Sequence, residues 1–342
     1  MNKTQAEGGG MNDPRRENVN ALIALFNQGR LEEVVERANL LLQQFPEAVI
    51  LLNILGGAYA GLRRLDAAIE SYRRALGIRP DFAEAHYNLG NALREKGALA
   101  AAIESFTRAL EINPDFAEAE GNLGVALHET GDLPDATRHL RRAIEIRPDF
   151  AEAHNNLGRA LGDAGDPAAA IESFARALEI EPGFAEAHNN LGNAFKEKGD
   201  LAAAIESFAR ALEIKPGFAE AHNNLGVALQ ESGDPAAAIE SFTRALEIDP
   251  DFAEARCNLG NALKEKGDLA AAIASFARAL EIKPNFAEAL NNLGNALKDS
   301  GDLKAAIESY QRALEIRPDY PEAHYSLGRS HQICHRYKEA ME

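Results

Sequence analysis

Proline recurs every 34 residues along most of this chain, and this period restricts the possible folds more than any other feature. Residues 185–218 and 219–252 are identical at 26 of 34 positions. A fixed period of this length is typical of arrays in which each unit packs only on its neighbours. The register runs from about Arg15 to Glu342 and leaves no room for an independent second domain. The prolines in register are Pro46, Pro80, Pro114, Pro148, Pro182, Pro216, Pro250, Pro284 and Pro318.

Counting in steps of 34 gives the domain organisation. Residues 1–14 are polar and rich in glycine, and we expect them to be disordered. Residues 15–48 form a degenerate unit, residues 49–320 form eight consecutive units, and residues 321–342 form a partial tenth unit. Repeat arrays usually end in a polar capping helix, whereas we expect this sequence to stop in the first turn or two of a second helix. We therefore expect either a truncated product of a longer chain or an end that pairs with another molecule.

Each unit is predicted to contain two antiparallel helices. In residues 185–218, one apolar stripe at helical spacing precedes Gly199, and a second stripe follows Asp200. Glycine favours the end of a helix, and aspartate caps the start of the next one. Pro216 then ends the second helix. The stripes consist of Ala187, Leu191, Ala194 and Phe195 in the first helix and of Leu201, Ala204, Ile205, Phe208, Ala211 and Leu212 in the second.

Local capping signals agree with this division. Asp234 stands directly before Pro235, so a cap residue precedes a proline at the first helical position. The spacing from Asp81 to Glu84 also resembles a capping box at the start of a first helix.

This pattern resembles the tetratricopeptide repeat over more than nine-tenths of the chain. The resemblance implies an all-α fold, a right-handed α-solenoid superhelix of antiparallel helix pairs, in which the first helices line a concave groove. Two residues depart from the family pattern: His188 stands where an aromatic residue is usual, and Arg63 replaces the glycine between helices. The residues that carry the resemblance are Leu191, Gly192, Ala194, Phe195, Gly199, Leu201, Ala204, Phe208, Ala211, Leu212 and Pro216.

Composition and charge exclude several classes of function. The net charge is −17, from 53 acidic and 36 basic residues, and nucleic-acid binding requires the opposite sign. We expect no membrane span, because no segment approaches 18 apolar residues. Residues 1–14 lack the apolar segment of a signal peptide. Cys257 and Cys334 are too few for a disulfide framework and fit a reducing compartment. These features favour a cytoplasmic protein.

A polar ribbon runs along the first helix of each unit. Glu186, Asn190, Asn193 and Glu197 share one side of the helix, away from the apolar stripe. An amide offers both a donor and an acceptor, which suits it to hold the backbone of an extended peptide. The asparagine ladder in the superhelical arm of O-linked N-acetylglucosaminyltransferases is similar and implies this use. Alternatively, the asparagines bridge adjacent helices or face solvent. The ladder asparagines are Asn88, Asn122, Asn156, Asn190, Asn224, Asn258 and Asn292, and a second row consists of Asn91, Asn193, Asn261 and Asn295.

A row of glutamates borders the ladder and restricts the partner. Chaperone-adaptor tetratricopeptide domains resemble this fold, and that family clamps a C-terminal carboxylate with lysines and arginines. Here the corresponding positions hold glutamate and asparagine, so a carboxylate would meet like charge. We therefore expect neutral or basic polypeptide partners rather than acidic ones. The acidic row consists of Glu84, Glu118, Glu152, Glu186, Glu220, Glu254 and Glu288.

No catalytic or metal-binding constellation is predicted, and hence no enzyme activity, metal or cofactor. No GxSxG, phosphate-binding or dinucleotide motif is present. His331 and His335 lie one turn apart, but with Cys334 they lack an obvious further ligand. Successive repeats are about 10 Å apart, too far for one zinc ion to bridge with bonds of about 2.0–2.1 Å. Five histidines in register are therefore interpreted as packing residues: His86, His154, His188, His222 and His324.

Three hypotheses about function follow from the sequence. The first is a non-catalytic scaffold that binds an extended polypeptide in its groove through the ladder asparagines. The second is the substrate-recruiting arm of a larger glycosyltransferase of the O-linked N-acetylglucosamine type. The third is a structural spacer or self-assembling rod without a groove ligand.

Overall fold

The computed structural model describes the backbone of residues 14–341 and the side chains of residues 14–333. The segment expected to be disordered therefore lies outside the described residues except for Pro14. The side chains of Cys334 and His335 in the HQICH stretch lie outside them as well.

The described residues form nineteen α-helices and no strand. From α3 to α18, first helices of 13 residues alternate with second helices of 14 residues. The helices are α1 (Arg16–Asn27), α2 (Leu31–Gln44), α3 (Val49–Gly61), α4 (Leu65–Ile78), α5 (Ala83–Glu95), α6 (Leu99–Ile112), α7 (Ala117–Glu129), α8 (Leu133–Ile146), α9 (Ala151–Asp163), α10 (Pro167–Ile180), α11 (Ala185–Glu197), α12 (Leu201–Ile214), α13 (Ala219–Glu231), α14 (Pro235–Ile248), α15 (Ala253–Glu265), α16 (Leu269–Ile282), α17 (Ala287–Asp299), α18 (Leu303–Ile316) and α19 (Pro321–Met341).

The turn between the two helices of a pair follows the predicted glycine–aspartate rule. Gly199 has a φ of 83°, a left-handed conformation that glycine adopts without strain. The carboxylate of Asp200 then accepts a hydrogen bond of 3.1 Å from the backbone N–H of Ala203. Asp234 caps α14 in the same way, before a proline at the first helical position.

The predicted capping box at the start of the first helices is wrong. The residue before α5 is Phe82, and no side chain caps the helix there. Asp81 precedes that residue and so lies one position too early to act as the cap. The first helices begin instead directly after the aromatic residue that follows the proline turn.

Most helix pairs pack through a close contact between a glycine of the first helix and an aromatic ring of the second. A Cβ atom added to Gly192 of α11 would lie 2.6 Å from the ring of Phe208 in α12. Ala204, Phe208 and Ala211 of α12 are completely buried. Glycine and alanine thus let the two helices approach closely while one aromatic ring fills the space between them.

The chain divides into two compact units, Met1–Asp166 and Pro167–Glu342. Within each unit, a helix packs on its neighbours along the chain, and each first helix also contacts the first helix of the next pair. Successive second helices make no such contacts within the described part of either unit. The first helices therefore lie on the inner side of the local curvature in each unit. These observations confirm the all-α architecture of antiparallel helix pairs. The expected start of a second helix in the last unit is wrong, because α19 continues without a break from Pro321 to Met341.

Candidate functional site

The polar side of the first helices forms the candidate site, which we call the first-helix face. In α11, Glu186 and Glu197 are exposed and Asn190 and Asn193 are half-buried. Ala187, on the opposite side of the helix, is completely buried. The structure thus places these four polar residues on the side of α11 that is not packed in the core.

The ladder asparagines link neighbouring repeats. Nδ2 of Asn224 donates a hydrogen bond of 3.1 Å to Oδ1 of Asn189, 35 residues earlier. Nδ2 of Asn258 donates one of 3.0 Å to Oδ1 of Asn223. The acceptor is in each case the residue immediately before the ladder asparagine of the preceding repeat. Because Asn189 is 2% exposed and Asn223 is 8% exposed, these bonds satisfy amides that would otherwise be costly to bury.

The same link recurs in the other unit with different acceptors. Asn88 donates to Oδ1 of Asn53 at 3.1 Å. Asn122 donates to the hydroxyl of Tyr87 at 3.2 Å and to Oδ1 of Asn91 at 2.7 Å. The bridging role therefore depends on the position and not on one type of acceptor.

The link weakens towards the last repeats. Nδ2 of Asn292 lies 3.8 Å from Sγ of Cys257, a weak acceptor. Burial raises the pKa of the Cys257 thiol to about 12, and the carboxylate of Glu288 adds to the increase, so this cysteine is a neutral packing residue. Oδ1 of Asn291 is buried without a hydrogen-bond partner in the described part of the chain. The residue that would donate to it in the next repeat is Ser326, whose side chain is shorter.

Asn156 and Asn190 complete the ladder. Gly121 stands where the preceding repeat would provide the acceptor for Asn156, so that side-chain link does not exist. Asn156 is half-buried, and its side chain has no hydrogen bond within the described residues. Asn190 does have an interaction partner. Asn156 is thus a half-buried ladder asparagine whose amide is not engaged by another described side chain.

The second row is only partly engaged. Oδ1 of Asn295 accepts hydrogen bonds from the Tyr310 hydroxyl at 2.9 Å and from the Ser326 hydroxyl at 3.3 Å. Asn193 and Asn261 are half-buried, and their side chains make no hydrogen bonds to other described residues. Both lie on the first-helix face, where a ligand or solvent could bind them.

Half of the acidic row in the second unit is neutralised by lysines that the sequence analysis missed. Nζ of Lys215 lies 2.7 Å from Oε1 of Glu186, and Nζ of Lys283 lies 2.7 Å from Oε1 of Glu254. The hydrogen bond from Lys215 lowers the pKa of the Glu186 carboxyl, and Lys283 lowers that of Glu254. Each lysine directly precedes a proline of the 34-residue period, which was the available signal in the sequence.

In the first unit, Glu118 is neutralised in the same way. Arg147 forms an ion pair of 2.8 Å with Glu118, and its guanidinium lies 3.6 Å from the centre of the Phe150 ring. The remaining glutamates of the row are exposed, and none of them forms an ion pair within the described residues. They are Glu84, Glu152, Glu220 and Glu288.

A polar cavity of about 590 Å³ opens on this face in the first unit. It is lined by Asn91, Arg94, Glu95, Asn122 and Glu129. The guanidinium of Arg94 lies 4.0 Å from the carboxylate of Glu129. The lining offers hydrogen-bond donors and acceptors of both charges but no apolar wall, which suits a polar chain better than an apolar ligand.

The histidines in register lie away from this face and close the turns between repeats. Nε2 of His222 lies 3.1 Å from the carbonyl oxygen of Pro216, and Nε2 of His86 lies 2.9 Å from that of Pro80. The same contact recurs in the repeats of His154, His188 and His324.

Among the described residues, no three His, Cys, Asp or Glu side chains are grouped to hold a metal ion. No helix within that part of the chain is sufficiently long and apolar to span a membrane.

Comparison with family models identifies repeats along most of the chain. Models described as "TPR repeat" or "Tetratricopeptide repeat" match residues 56–97, 83–116, 115–183, 155–219, 223–287, 275–308 and 294–332. Together these matches cover residues 56–219 and 223–332.

One curated relative and two solved structures are similar to parts of the chain. A probable UDP-N-acetylglucosamine–peptide N-acetylglucosaminyltransferase SEC of Arabidopsis thaliana is 36% identical over 73 residues. That match spans 21% of this chain and only 8% of the relative.

The two structures share the fold. In the structure of the APC/C hetero-tetramer Cut9–Hcn1, the matched chain is 18% identical, with a TM-score of 0.62 over 86% of this chain and 58% of that one. The structure of Pseudomonas aeruginosa pilF is 22% identical, with a TM-score of 0.55 over 61% and 95% of the two chains.

Proposed function

This chain belongs to the tetratricopeptide repeat family, and from that premise we propose that it is a non-catalytic scaffold that holds an extended polypeptide on its first-helix face. Repeats of this kind are typical of protein-interaction scaffolds. The observation that carries the proposal is that each unit has uncommitted amides on its first helices: Asn156 in the first unit, and Asn193 and Asn261 in the second. Half-buried amides without protein partners are suited to hydrogen bonds with the N–H and C=O groups of a peptide backbone.

The ladder can serve both the fold and the ligand. An asparagine amide has two N–H groups and an oxygen with two lone pairs. The link from Asn258 to Asn223 uses only one N–H group of Asn258. The other N–H group and the oxygen of such a residue are the atoms that we assign to the ligand. Because the link fixes the amide plane, these atoms are oriented before the peptide arrives, which reduces the entropy cost of binding.

Asn156 and Asn258 provide a matched pair for testing this proposal. Replacing Asn258 with Ala removes an inter-repeat hydrogen bond, so Asn258→Ala should lower the free energy of unfolding by about 0.5–1.5 kcal/mol. Asn156 makes no such bond, so Asn156→Ala should leave stability nearly unchanged. Stability is measured by urea denaturation followed by circular dichroism.

Binding is then measured with a random 12-residue peptide display library. The wild-type protein should select peptides, and Asn156→Ala should bind the selected peptides more weakly while remaining as stable as the wild type. If Asn156→Ala and a triple variant at Asn156, Asn193 and Asn261 both bind these peptides with unchanged affinity, the amides have no role in binding. If the wild-type protein selects no peptide at all, the scaffold proposal fails, and the spacer or rod hypothesis is favoured.

A second candidate function is supported by the glycosyltransferase relative. The 36% identity to the SEC protein over 73 residues leads us to propose, as the alternative, that this chain is the substrate-recruiting arm of a larger transferase. Mass spectrometry of the natural protein tests this alternative. Peptides from a nucleotide-sugar-binding domain joined to this chain would support it, and a natural protein of 36.9 kDa would contradict it.

A further inference from the structure

A lysine directly before a periodic proline forms an ion pair with the glutamate of the acidic row that lies 29 residues earlier in the chain. The ammonium group of Lys215 lies 2.7 Å from Glu186, and that of Lys283 lies 2.7 Å from Glu254. Both glutamates are about half exposed, so these pairs are weak but form a neutral surface.

The repeat between these two reverses the charge at that position. In residues 219–252, Asp249 stands where the neighbours have lysine, and its carboxylate accepts a hydrogen bond of 3.1 Å from the backbone N–H of Asp251. In this repeat, the position that would supply a cation to Glu220 is therefore occupied by an acidic residue. No ion pair to Glu220 exists within the described residues.

Glu220 is nevertheless held in place. Nδ2 of Asn189, in the preceding repeat of the same unit, lies 3.4 Å from Oε1 of Glu220. This neutral donor orients the carboxylate without cancelling its charge, and Glu220 remains exposed on the first-helix face. Glu220 is thus an oriented carboxylate without an ion pair among the described residues, and the glutamates of the repeats on either side are paired with lysine.

We infer that Glu220 is the residue of the first-helix face that selects a basic side chain, lysine or arginine, in the bound polypeptide. The inference rests on the proposed function. A lysine of the ligand that approached Glu186 would have to displace Lys215, whereas at Glu220 it gains a new ion pair. Asp249 strengthens this preference because it adds negative potential at the same place.

The experiment uses a peptide that the full-length wild-type protein selects from the random 12-residue library and that contains one lysine or arginine. Its control is the same peptide with glutamine at that position. Affinities are measured by fluorescence anisotropy for the wild type and for Glu220→Gln, Glu186→Gln and Glu254→Gln. The three variants remove the same charge from equivalent positions, so they compare the unpaired carboxylate of Glu220 with two carboxylates that are paired with lysine.

For the basic peptide, Glu220→Gln should weaken binding about twofold to fivefold, as expected for an exposed ion pair, and the effect should shrink as salt is added. For the glutamine peptide, the same substitution should have no effect. Glu186→Gln and Glu254→Gln should not weaken binding of the basic peptide. Asp249→Lys supplies the missing cation and should weaken binding of the basic peptide as Glu220→Gln does. Lys215→Asp should strengthen binding of the same peptide.

Three results would overturn the inference. The first is equal affinity of the wild type and Glu220→Gln for the basic peptide, and the second is an equal loss of affinity at all three glutamates. A selected pool without any enrichment of lysine or arginine would also overturn it. Each of these results leaves the scaffold proposal intact, because peptides would still be bound, whereas a failed selection would count against the scaffold proposal itself.

Discussion

Arg63 holds a backbone conformation that the other repeats assign to glycine. Its φ is 60°, and among the described residues it is the one non-glycine residue with positive φ. The left-handed region costs a residue with a Cβ atom about 1–2 kcal/mol, and the exposed ion pair of Arg63 with Glu95 contributes little in return. We predict that Arg63→Gly raises the free energy of unfolding by about 0.5–1 kcal/mol, measured by urea denaturation. The matched control, Gly199→Ala at φ 83°, should lower it, and a lower stability of Arg63→Gly would contradict this account.

Ser326 interrupts the ladder and leaves the buried Oδ1 of Asn291 without a partner in the described part of the structure. An asparagine at this position would reach that oxygen, as Asn258 reaches Asn223. We predict that Ser326→Asn raises the free energy of unfolding by about 0.5–1.5 kcal/mol. Asn295 loses the Ser326 bond but keeps the bond from Tyr310. The gain should disappear when Asn291→Leu is also present, and a gain that persists would point to another cause.

His222 makes the stability of its repeat depend on pH. Burial lowers the pKa of His222 below its ordinary value of 6.5, against the opposing effect of its hydrogen bond to the Pro216 carbonyl. The folded state therefore takes up a proton less readily than the unfolded state. Its contribution to stability is complete above pH 6.5 and is lost as the pH falls through the folded-state pKa.

Glutamine at this position can donate to the Pro216 carbonyl but does not titrate. We predict that the wild type loses more free energy of unfolding than His222→Gln does as the pH falls from about 7.5 to about 5.5. Urea denaturation at each pH measures the difference. A difference that is independent of pH would contradict the assignment.

At the scale of the helix pair, the glycine of a first helix matters where an aromatic ring of the second helix covers it. A Cβ atom on Gly192 would lie 2.6 Å from the Phe208 ring, whereas one on Gly328 of α19 would meet nothing within 4 Å. We predict that Gly192→Ala lowers the free energy of unfolding by about 1–2 kcal/mol through overpacking. Gly328→Ala should raise it by up to about 1 kcal/mol through helix propensity. Equal effects of the two substitutions, measured by thermal unfolding, would rule out the ring contact as the cause.

The elements could be predicted from the sequence because their signals are local. The turn at Gly199 and Asp200 depends on residues within one turn of each other, and the structure confirms it. The capping box from Asp81 to Glu84 failed by one position, because the helix begins after Phe82. A spacing rule identifies a candidate cap but does not fix the residue at which the helical conformation starts.

The candidate site was harder to predict, because its contacts join residues about 30 positions apart. The ladder was visible as a row, but its acceptors, such as Asn189 and Asn223, become evident only when two repeats are packed together. The same is true of Lys215 and Glu186, which are 29 residues apart. In one repeat, Glu120 stands where other repeats have histidine. Its Oε2 lies 2.5 Å from Nδ1 of His139, and both side chains are largely buried. This pair could have been found as two departures from the consensus in the same repeat.

At the scale of the whole molecule, the charge is large and unevenly distributed. The chain has a net charge of −17, and residues 219–252 contain seven acidic residues and one basic residue, without counting His222. Most ion pairs of the described residues are exposed, such as Arg210 with Glu213 at 2.7 Å, and exposed pairs contribute little to stability. The remaining negative charges repel one another over longer distances, and salt screens that repulsion beyond about 10 Å at 0.1 M.

We therefore predict that the urea midpoint rises as sodium chloride is increased from about 10 mM to about 300 mM, since screening removes more repulsion than attraction. The matched variant is Glu240→Lys with Asp251→Lys, two exposed positions of the most acidic repeat. Each substitution changes the charge by two, so the net charge moves from −17 to −13. This variant should be more stable at low salt, and its midpoint should depend less on salt. A wild-type midpoint that falls with added salt would mean that local ion pairs outweigh the long-range repulsion.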